Sequence, residues 1–445
     1  MANVIKLKKG LDINLKGKAT ASVSTAKASK VYGLVPDAFW GIKPKVVVKE
    51  GDTVKAGDAL FVDKKHPELK FVSPVAGKVT LVERGDRRKV LSVQVEAAST
   101  QTYVDFGKKQ VNSLNAEDVK KALLESGMFA FFIQRPYAVV ANPDDTPKAI
   151  FISAFSDMPL AADVNVTMKG KQQDFQTGIY AIAKIAKVYV GIKEGSILAD
   201  TKNATVTEFK GKCPAGNVGV QINHISPINK GEIVWTIAPE EVAFIGRLFN
   251  TGKADFTRTL AVAGSEIKEP QYKNVIIGAR IGDIVAGNVA ADKKVRLIDG
   301  NPLTGQQASE DDFLLAHSTE VTAIPEGDEA NELFGWIAPR LKEFSVSRSY
   351  FSWLMPKSKE YTLDARIKGG HRHMIFSGEY DSVFPMDIYP EQLVKAIIAG
   401  DIDRMEALGI YEVAPEDFAV AEFVDSSKVE LQRIVREGLD MLRKE

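Results

Sequence analysis

The 445-residue sequence predicts a multidomain α/β protein, and three observations carry that prediction. Amphipathic helical patterns alternate with short apolar strands between residues 116 and 251. Ahead of them, from Pro44 to Glu83, short β-branched segments are punctuated by Gly-Asp and Ala-Gly turns, the spacing of a small all-β unit. Behind them, two strands, a short apolar stretch and a further strand fall between Arg258 and Ile298. After Ala330 the composition turns to helices and loops.

A chain this long exceeds the roughly 250–300 residues at which a single core stops growing, so several domains are expected. Lys+Arg balances Asp+Glu at 58 each, so net charge selects neither nucleic acid nor an anionic surface as partner. The single cysteine, Cys213, excludes an intramolecular disulfide and any four-thiolate zinc or iron–sulfur site built from this chain alone. The opening MANVIKLKKG has charge but no apolar region behind it, so no secretory signal is expected. The apolar runs Phe129–Ile133 and Ile150–Phe155 are far shorter than the roughly 18–20 residues that cross a bilayer. The expectation is a cytoplasmic protein whose membrane contact comes through partners.

Val4–Leu7 alternates apolar and basic residues and reads as a half-buried strand, followed by an aperiodic Ser/Thr/Ala/Lys-rich arm over Lys18–Lys30. Together, residues 1–36 read as an N-terminal strand and linker. Residues 37–100 form the small β unit. Its Val48-Lys49-Glu50-Gly51-Asp52-Thr53-Val54 and Ser73-Pro74-Val75-Ala76-Gly77 phrases resemble the biotinyl/lipoyl domain family. That family modifies the Lys of an exposed Asp-Lys pair, and Asp63-Lys64-Lys65 offers one. The interval to Ser73-Pro74 is longer than the family's, however, and a second Lys with His66-Pro67 alters the tip, so an unmodified structural module is favoured over a lipoyl-type carrier.

Residues 101–256 read as a Rossmann-like α/β domain. Asn115 with Asp118 caps a helix over Ala116–Ser126 that ends at Gly127, and the strand Ala149–Ala154 follows. Asp174 is expected to cap Phe175–Lys187, which leads into the strand Val188–Ile192. Pro239 opens a helix that Gly252 ends. Between the first helix and strand, a phosphate site needs several glycines so that backbone N–H groups can reach the anion. Met128, Phe129, Phe131, Phe132, Arg135 and Pro136 stand there, so Phe129–Pro136 is expected to fill the place of a nucleotide. The best remaining phosphate loop, Gly211–Gly219, matches neither a P-loop nor a dinucleotide fingerprint and reads as a turn before a helix. Cys213 within it reads as a buried thiol rather than a reactive one, and His224 as a packed or capping histidine.

Residues 257–320 resemble the soluble-ligand-binding β-grasp (SLBB) family through Arg258–Pro270 and Gly300-Asn301-Pro302-Leu303-Thr304-Gly305. Residues 321–445 are read as a mainly helical domain. Within it, Phe351-Ser352-Trp353-Leu354-Met355 reads first as core and second as a partner or quinone contact. His371 and His373 could share one face of a strand but have no evident third metal ligand, so a surface hairpin is favoured. Leu431, Ile434, Val435, Leu439 and Leu442 form one stripe on a terminal helix, expected to pack on its own domain, with Arg436 and Asp440 at (i, i+4).

Phrases spread over nearly the whole chain resemble one family. They include Ile5-Lys6-Leu7-Lys8-Lys9-Gly10-Leu11-Asp12, Thr146-Pro147-Lys148-Ala149-Ile150-Phe151, Pro159-Leu160-Ala161-Ala162-Asp163 and Gly378-Glu379-Tyr380-Asp381. The sequence is similar to the NqrA family, found in the sodium-translocating NADH:quinone oxidoreductases and related to the flavin-bearing component of respiratory complex I and to the C component of the Rnf complex. Two positions depart from that family: Cys213 stands where a histidine is expected, and Asp425-Ser426-Ser427 replaces a Cys-Pro-Gly. The resemblance implies a peripheral subunit on the cytoplasmic side of the bacterial inner membrane, part of a translocase that passes electrons from NADH to ubiquinone and exports Na+. FMN, FAD, riboflavin and iron–sulfur groups are then expected in partner subunits, chiefly membrane ones. This chain is expected to hold no cofactor and no catalytic or metal-binding residue, to serve assembly and access to the quinone site, and to be non-catalytic in isolation. A flavin- or NADH-binding diaphorase is the alternative from the enzyme class.

Overall fold

A computed structural model describes residues 3–291, 294–328 and 337–444. Its largest sheet has seven strands in the order Asn3–Lys6, Thr205–Lys210, Lys187–Ile192, Ala149–Ser153, Val234–Thr236, Ile133–Arg135, Val139–Val140. The first five are parallel, and the last two form an antiparallel hairpin along the edge. The central strands are apolar on both faces because both are covered. Ile150, Ile152, Val188 and Val190 face helices Gln172–Ile182 and Pro239–Thr251, while Ala149 and Phe151 face helix Val218–Ile225.

The capping signals act as their chemistry requires. Asn115 accepts from the Asp118 N–H at 2.8 Å and starts Ala116–Glu125, while Gly252 ends Pro239–Thr251 at φ 76°. Asp174 is not a cap. The helix begins at Gln172, and Asp174 in its first turn accepts from Asn250 Nδ2 at 2.7 Å, reaching across to the neighbouring helix instead. These two helices touch backbone to backbone, since a Cβ on Gly246 would lie 1.7 Å from the Asp174 carbonyl oxygen.

The N-terminal 36 residues do not form a unit of their own. Asn3–Lys6 joins the large sheet, Thr20–Thr25 adds a parallel edge to Gln271–Ile276, and Val31–Leu34 pairs antiparallel with Val90–Ala97. The arm expected to be aperiodic thus contains a strand. Its side chains are almost all exposed, so it pairs through backbone alone and leaves no alternating pattern to read.

The small β unit has a four-stranded sheet (Val31–Leu34, Val90–Ala97, Gly77–Arg84, Thr53–Val54) and a three-stranded one (Pro44–Val46, Ala59–Asp63, Lys70–Val72). The third unit is a six-stranded sheet in the order Gln306–Ala308, Val295–Asp299, Glu320–Pro325, Thr257–Ala263, Gln271–Ile276, Thr20–Thr25, with the short helix Ile281–Val285. From Glu379 onward, the described residues form five α-helices around Leu393, Phe418, Leu431, Val435 and Leu439. The terminal helix Leu431–Leu442 packs on Pro390–Ala399 of its own domain, and Arg436 pairs with Asp440 at 2.9 Å. Arg436 also donates to the carbonyls of Tyr137 and Ala138, so this helix grips the large sheet's edge hairpin as well.

Two further expectations give way. Phe351, Trp353 and Leu354 are not core: a 3-10 turn turns them outward and buries only Ser352. His371 and His373 lie on exposed chain with no strand pairing. Gly246→Ala should lower stability by about 1–3 kcal/mol, because the added methyl must force two backbones apart. Thermal unfolding of the variant measures it.

Candidate functional site

In open sheets with parallel strands, ligands gather where the winding reverses, beyond the carboxyl ends of the strands. Here the chain runs outward from Ala149–Ser153 through Lys187–Ile192 to Thr205–Lys210, then returns to Val234–Thr236 on the other side of the first strand. At that reversal lies a crevice of about 360 Å³. Ser153 and Thr236 mark its two strand ends, Asn217 and Pro239 the starts of two helices, and Phe131 and Ile133 the aromatic run. His317 reaches in from the third unit and Glu416 from the helical domain, so three units converge on it.

Its charged lining residues are Glu240, Glu241 and Glu416. Glu241 is 2% exposed; it accepts from the Ala238 N–H at 2.9 Å and sits 2.8 Å from His317 Nδ1, leaving His317 Nε2 with no hydrogen-bond partner. Glu240 accepts from Lys171 Nζ at 3.0 Å and from the Thr259 N–H at 3.2 Å. Burial holds the Lys171 ammonium below its usual value, and the two acceptors it reaches, Glu240 and Thr259, are both internal. A phosphate brought into the crevice therefore meets carboxylates.

The helix start at Val218 is the natural anion seat of this fold. It is already occupied by a side chain. Asp417, buried in the helical domain, accepts from Arg135 Nη1 at 2.7 Å, from the Ala414 N–H at 2.9 Å and from Asn217 Nδ2 at 3.3 Å. Arg135 is likewise buried, and its second nitrogen pairs with Glu416. The fit is close: a Cβ on Gly219 would lie 2.3 Å from Asp417 Oδ2 and 2.5 Å from Arg135 Nη1. The glycine of the expected phosphate loop thus admits an internal ion pair.

The rest of Gly211–Gly219 is a latch. Ser153 Oγ donates to the Gly216 carbonyl at 2.6 Å, and Asp157 accepts from the Gly216 N–H at 3.1 Å. Burial pushes Asp157 up to about 6. Cys213 is fully buried, its Sγ 3.7 Å from Met158 Sδ, and burial pushes its thiol upward, so it is packed and inert. His224 is exposed rather than packed; its Nδ1 lies 2.9 Å from the Val220 carbonyl in the last turn of its own helix.

The aromatic run departs from expectation. Phe129 and Phe132 close on Trp235 at 5.3 and 5.4 Å, but Ile133–Arg135 then becomes a strand beside Val234–Thr236. It does not fill the reversal point, where the crevice stays open. The turn that follows holds Tyr137 at φ 82° and Ala138 at φ 48°, a left-handed conformation that Arg436 supports from the helical domain.

Lys64 and Lys65 lie exposed between strands Ala59–Asp63 and Lys70–Val72, but the tip is held. Asp63 accepts from the backbone N–H groups of Lys43, Lys65 and His66, and His66 lies 3.5 Å from Asp144 of the large-sheet unit. Among the described residues His66, Glu68 and Asp144 are also the one grouping with metal-ligand spacing, with Glu68 and Asp144 exposed; His371 and His373 are not part of it.

Three domain families match: the NqrA N-terminal barrel-sandwich hybrid domain at residues 5–98, the NqrA second alpha/beta domain at 114–254, and the NQRA C-terminal domain, of SLBB type, at 259–310. Proteins bearing the NqrA role in Na(+)-translocating NADH-quinone reductase match end to end. The protein of Haemophilus influenzae is 35% identical over 99% of this chain and 100% of its own length. Those of Neisseria meningitidis and Mannheimia succiniciproducens, with the same two coverages, are 33% and 35% identical. The chain belongs to the NqrA family of the Na(+)-translocating NADH-quinone reductases. NqrA proteins are one of several subunits of that enzyme, and among the described residues of this one no helix is long and apolar enough to cross a membrane. The flavin that more distant relatives would suggest does not fit the residues present, since carboxylates line the crevice and an internal ion pair holds the helix start.

Arg135→Ala should cost about 3–5 kcal/mol, the usual penalty for stranding one partner of a buried ion pair, measured by denaturant unfolding. Gly219→Ala should weaken the same junction and loosen the helical domain first, seen as faster proteolysis after residue 378.

Asp299, beside the crevice and 5% exposed, is pushed by burial from 3.8 up to about 6. A raised acid binds its proton more tightly when folded, so its stabilising contribution is complete below about pH 4 and lost as pH rises through about 6. The loss amounts to at most roughly 3 kcal/mol. Asp299→Asn keeps an oxygen for the Leu315 N–H, so between pH 4 and 7 the variant should lose less stability than the parent.

Proposed function

We propose that this chain is a cofactor-free, peripheral subunit on the cytoplasmic face of the bacterial inner membrane, within the Na+-translocating NADH:quinone reductase. Its Rossmann-like layer works as scaffold rather than nucleotide site, and electrons pass from NADH to ubiquinone through flavins and iron–sulfur groups of other subunits. The observation that carries this reading is Asp417 seated against the first turn of helix Val218–Ile225, where a phosphate would bind. An anionic cofactor would have to displace a buried carboxylate from its arginine and then face Glu240 and Glu241. The lone, buried Cys213 supports the same reading for clusters, since no thiolate set can form.

The chain's role is then to join the assembly and to shape access to the quinone site from the cytoplasmic side. The held hairpin tip at Lys64–Lys65 supports a structural β unit over a lipoyl-type carrier, which must swing free.

Expression with and without the membrane subunits tests both halves. The purified chain should show no flavin absorbance and no heat on titration with FMN or NADH, and should co-purify with the membrane subunits when they are present. Stoichiometric flavin, or NADH oxidation by the isolated chain, would replace this reading with the diaphorase one.

A further inference from the structure

The balanced total charge hides a local excess. Residues 337–359 carry five Lys/Arg, namely Arg340, Lys342, Arg348, Lys357 and Lys359, against one acidic residue, Glu343. Glu343 is itself paired with Lys368. The same stretch exposes large apolar side chains: Ile337 63%, Leu341 42%, Val346 43%, Phe351 57%, Trp353 49% and Leu354 63%. Soluble surfaces rarely gather so many in one place without a partner for them.

These residues form one local structure. The Phe351 N–H donates to the Pro339 carbonyl at 3.0 Å, and Lys359 Nζ donates to the Leu341 carbonyl, which draws the ends of the segment together. The 3-10 turn Phe351–Leu354 then projects three apolar side chains while Ser352 points inward. Basic groups stand among them: the Arg348 guanidinium lies 5.5 Å from the Trp353 ring and that of Arg340 lies 5.2 Å from the Tyr350 ring.

We propose that the 337–359 patch seats directly on an anionic lipid bilayer, with Phe351, Trp353 and Leu354 entering the interface and Arg348, Lys342 and Lys357 meeting lipid phosphates. Aromatic residues favour the headgroup level, and long basic side chains reach from apolar positions to the phosphates. Interfacial binding needs two signals, an apolar insertion and a polybasic attraction, and the patch has both. Charge selects lipid over protein as occupant. The cytoplasmic loops of a membrane subunit are themselves rich in Lys and Arg and would repel these cations, whereas the leaflet's anionic lipids attract each by roughly fivefold in partitioning.

The proposal rests on the peripheral placement above, and the test separates the two. Flotation of the full chain with vesicles of phosphatidylglycerol and phosphatidylethanolamine should show binding, with far less to phosphatidylcholine alone. Binding should fall about tenfold in roughly 0.5 M salt, where screening is severe. Brominated acyl chains should quench fluorescence in the parent but not in Trp353→Phe. The pair Phe351→Ser and Leu354→Ser, and separately Arg348→Glu with Lys357→Glu, should each weaken vesicle binding about tenfold or more without moving the unfolding midpoint, because these side chains are exposed. Binding unchanged in these variants, or no binding of the parent to either vesicle, overturns the proposal. If the parent ignores vesicles yet co-purifies with the membrane subunits, the patch is a protein-docking surface and the peripheral-subunit reading stands. If it binds vesicles through the patch but never co-purifies, the lipid contact stands and the peripheral-subunit reading falls.

Discussion

The buried pair of Arg135 and Asp417 is the constraint on which the arrangement of the molecule depends. Each is 1% exposed, and a charge so placed is tolerable only when its partner is fixed in position. Arg135 ends a strand near the edge of the large sheet, while Asp417 sits in the 3-10 turn Pro415–Phe418 of the helical domain. Holding them together therefore fixes one domain on another. Asn217 and Gly219, at the start of helix Val218–Ile225, supply the hydrogen bond and the room. A site that other nucleotide folds keep open for an anion from solution is here closed with an anion from the chain itself.

This closure explains why the neighbouring crevice survives without serving a nucleotide. The strand reversal makes a hollow by topology alone, because adjacent connections leave in opposite directions. Its contents are a separate matter from its existence. Phe131, Ile133 and Ile237 make it apolar, and Glu240 and Glu241 point their charge at internal partners. The C-terminal helix adds to the lock, as Arg436 holds the Tyr137 and Ala138 carbonyls and Arg443 reaches the Gly41 carbonyl.

Much of this is legible in the sequence where the signal is local. Asn115 with Asp118, and Pro239 with Gly252, mark helix ends through bonds spanning a few residues, and the structure has those ends. Ala149–Ser153 announces itself as a strand because both its faces are buried. The features that escape a sequence reading have a common cause in distance along the chain. Thr20–Thr25 pairs with a strand some 250 positions away and buries no side chain fully, so nothing in its own composition records the partner. Arg135 reads as an obstacle to a phosphate, and its ion-pair partner lies 282 residues on. The edge hairpin stays hidden because its turn uses Tyr137 and Ala138 at positive φ, where a reader looks for glycine.

Phe351 to Leu354 misleads for a different reason, and the reason bears on how net charge should be used. An apolar cluster is assigned to the core because burial is the commonest way to remove it from water, and a neutral chain gives no hint of another way. Neutrality is an average, however. The acidic lining of the crevice and the basic rim around Trp353 contribute opposite signs to it, so a total of zero is compatible with two strong local fields. Within a Debye length of about 10 Å, a partner responds to the local field and not to the total. An apolar cluster ringed by cations therefore has a second way out of water, against an anionic interface. That way remains invisible until the fold shows which side chains stand together and outward.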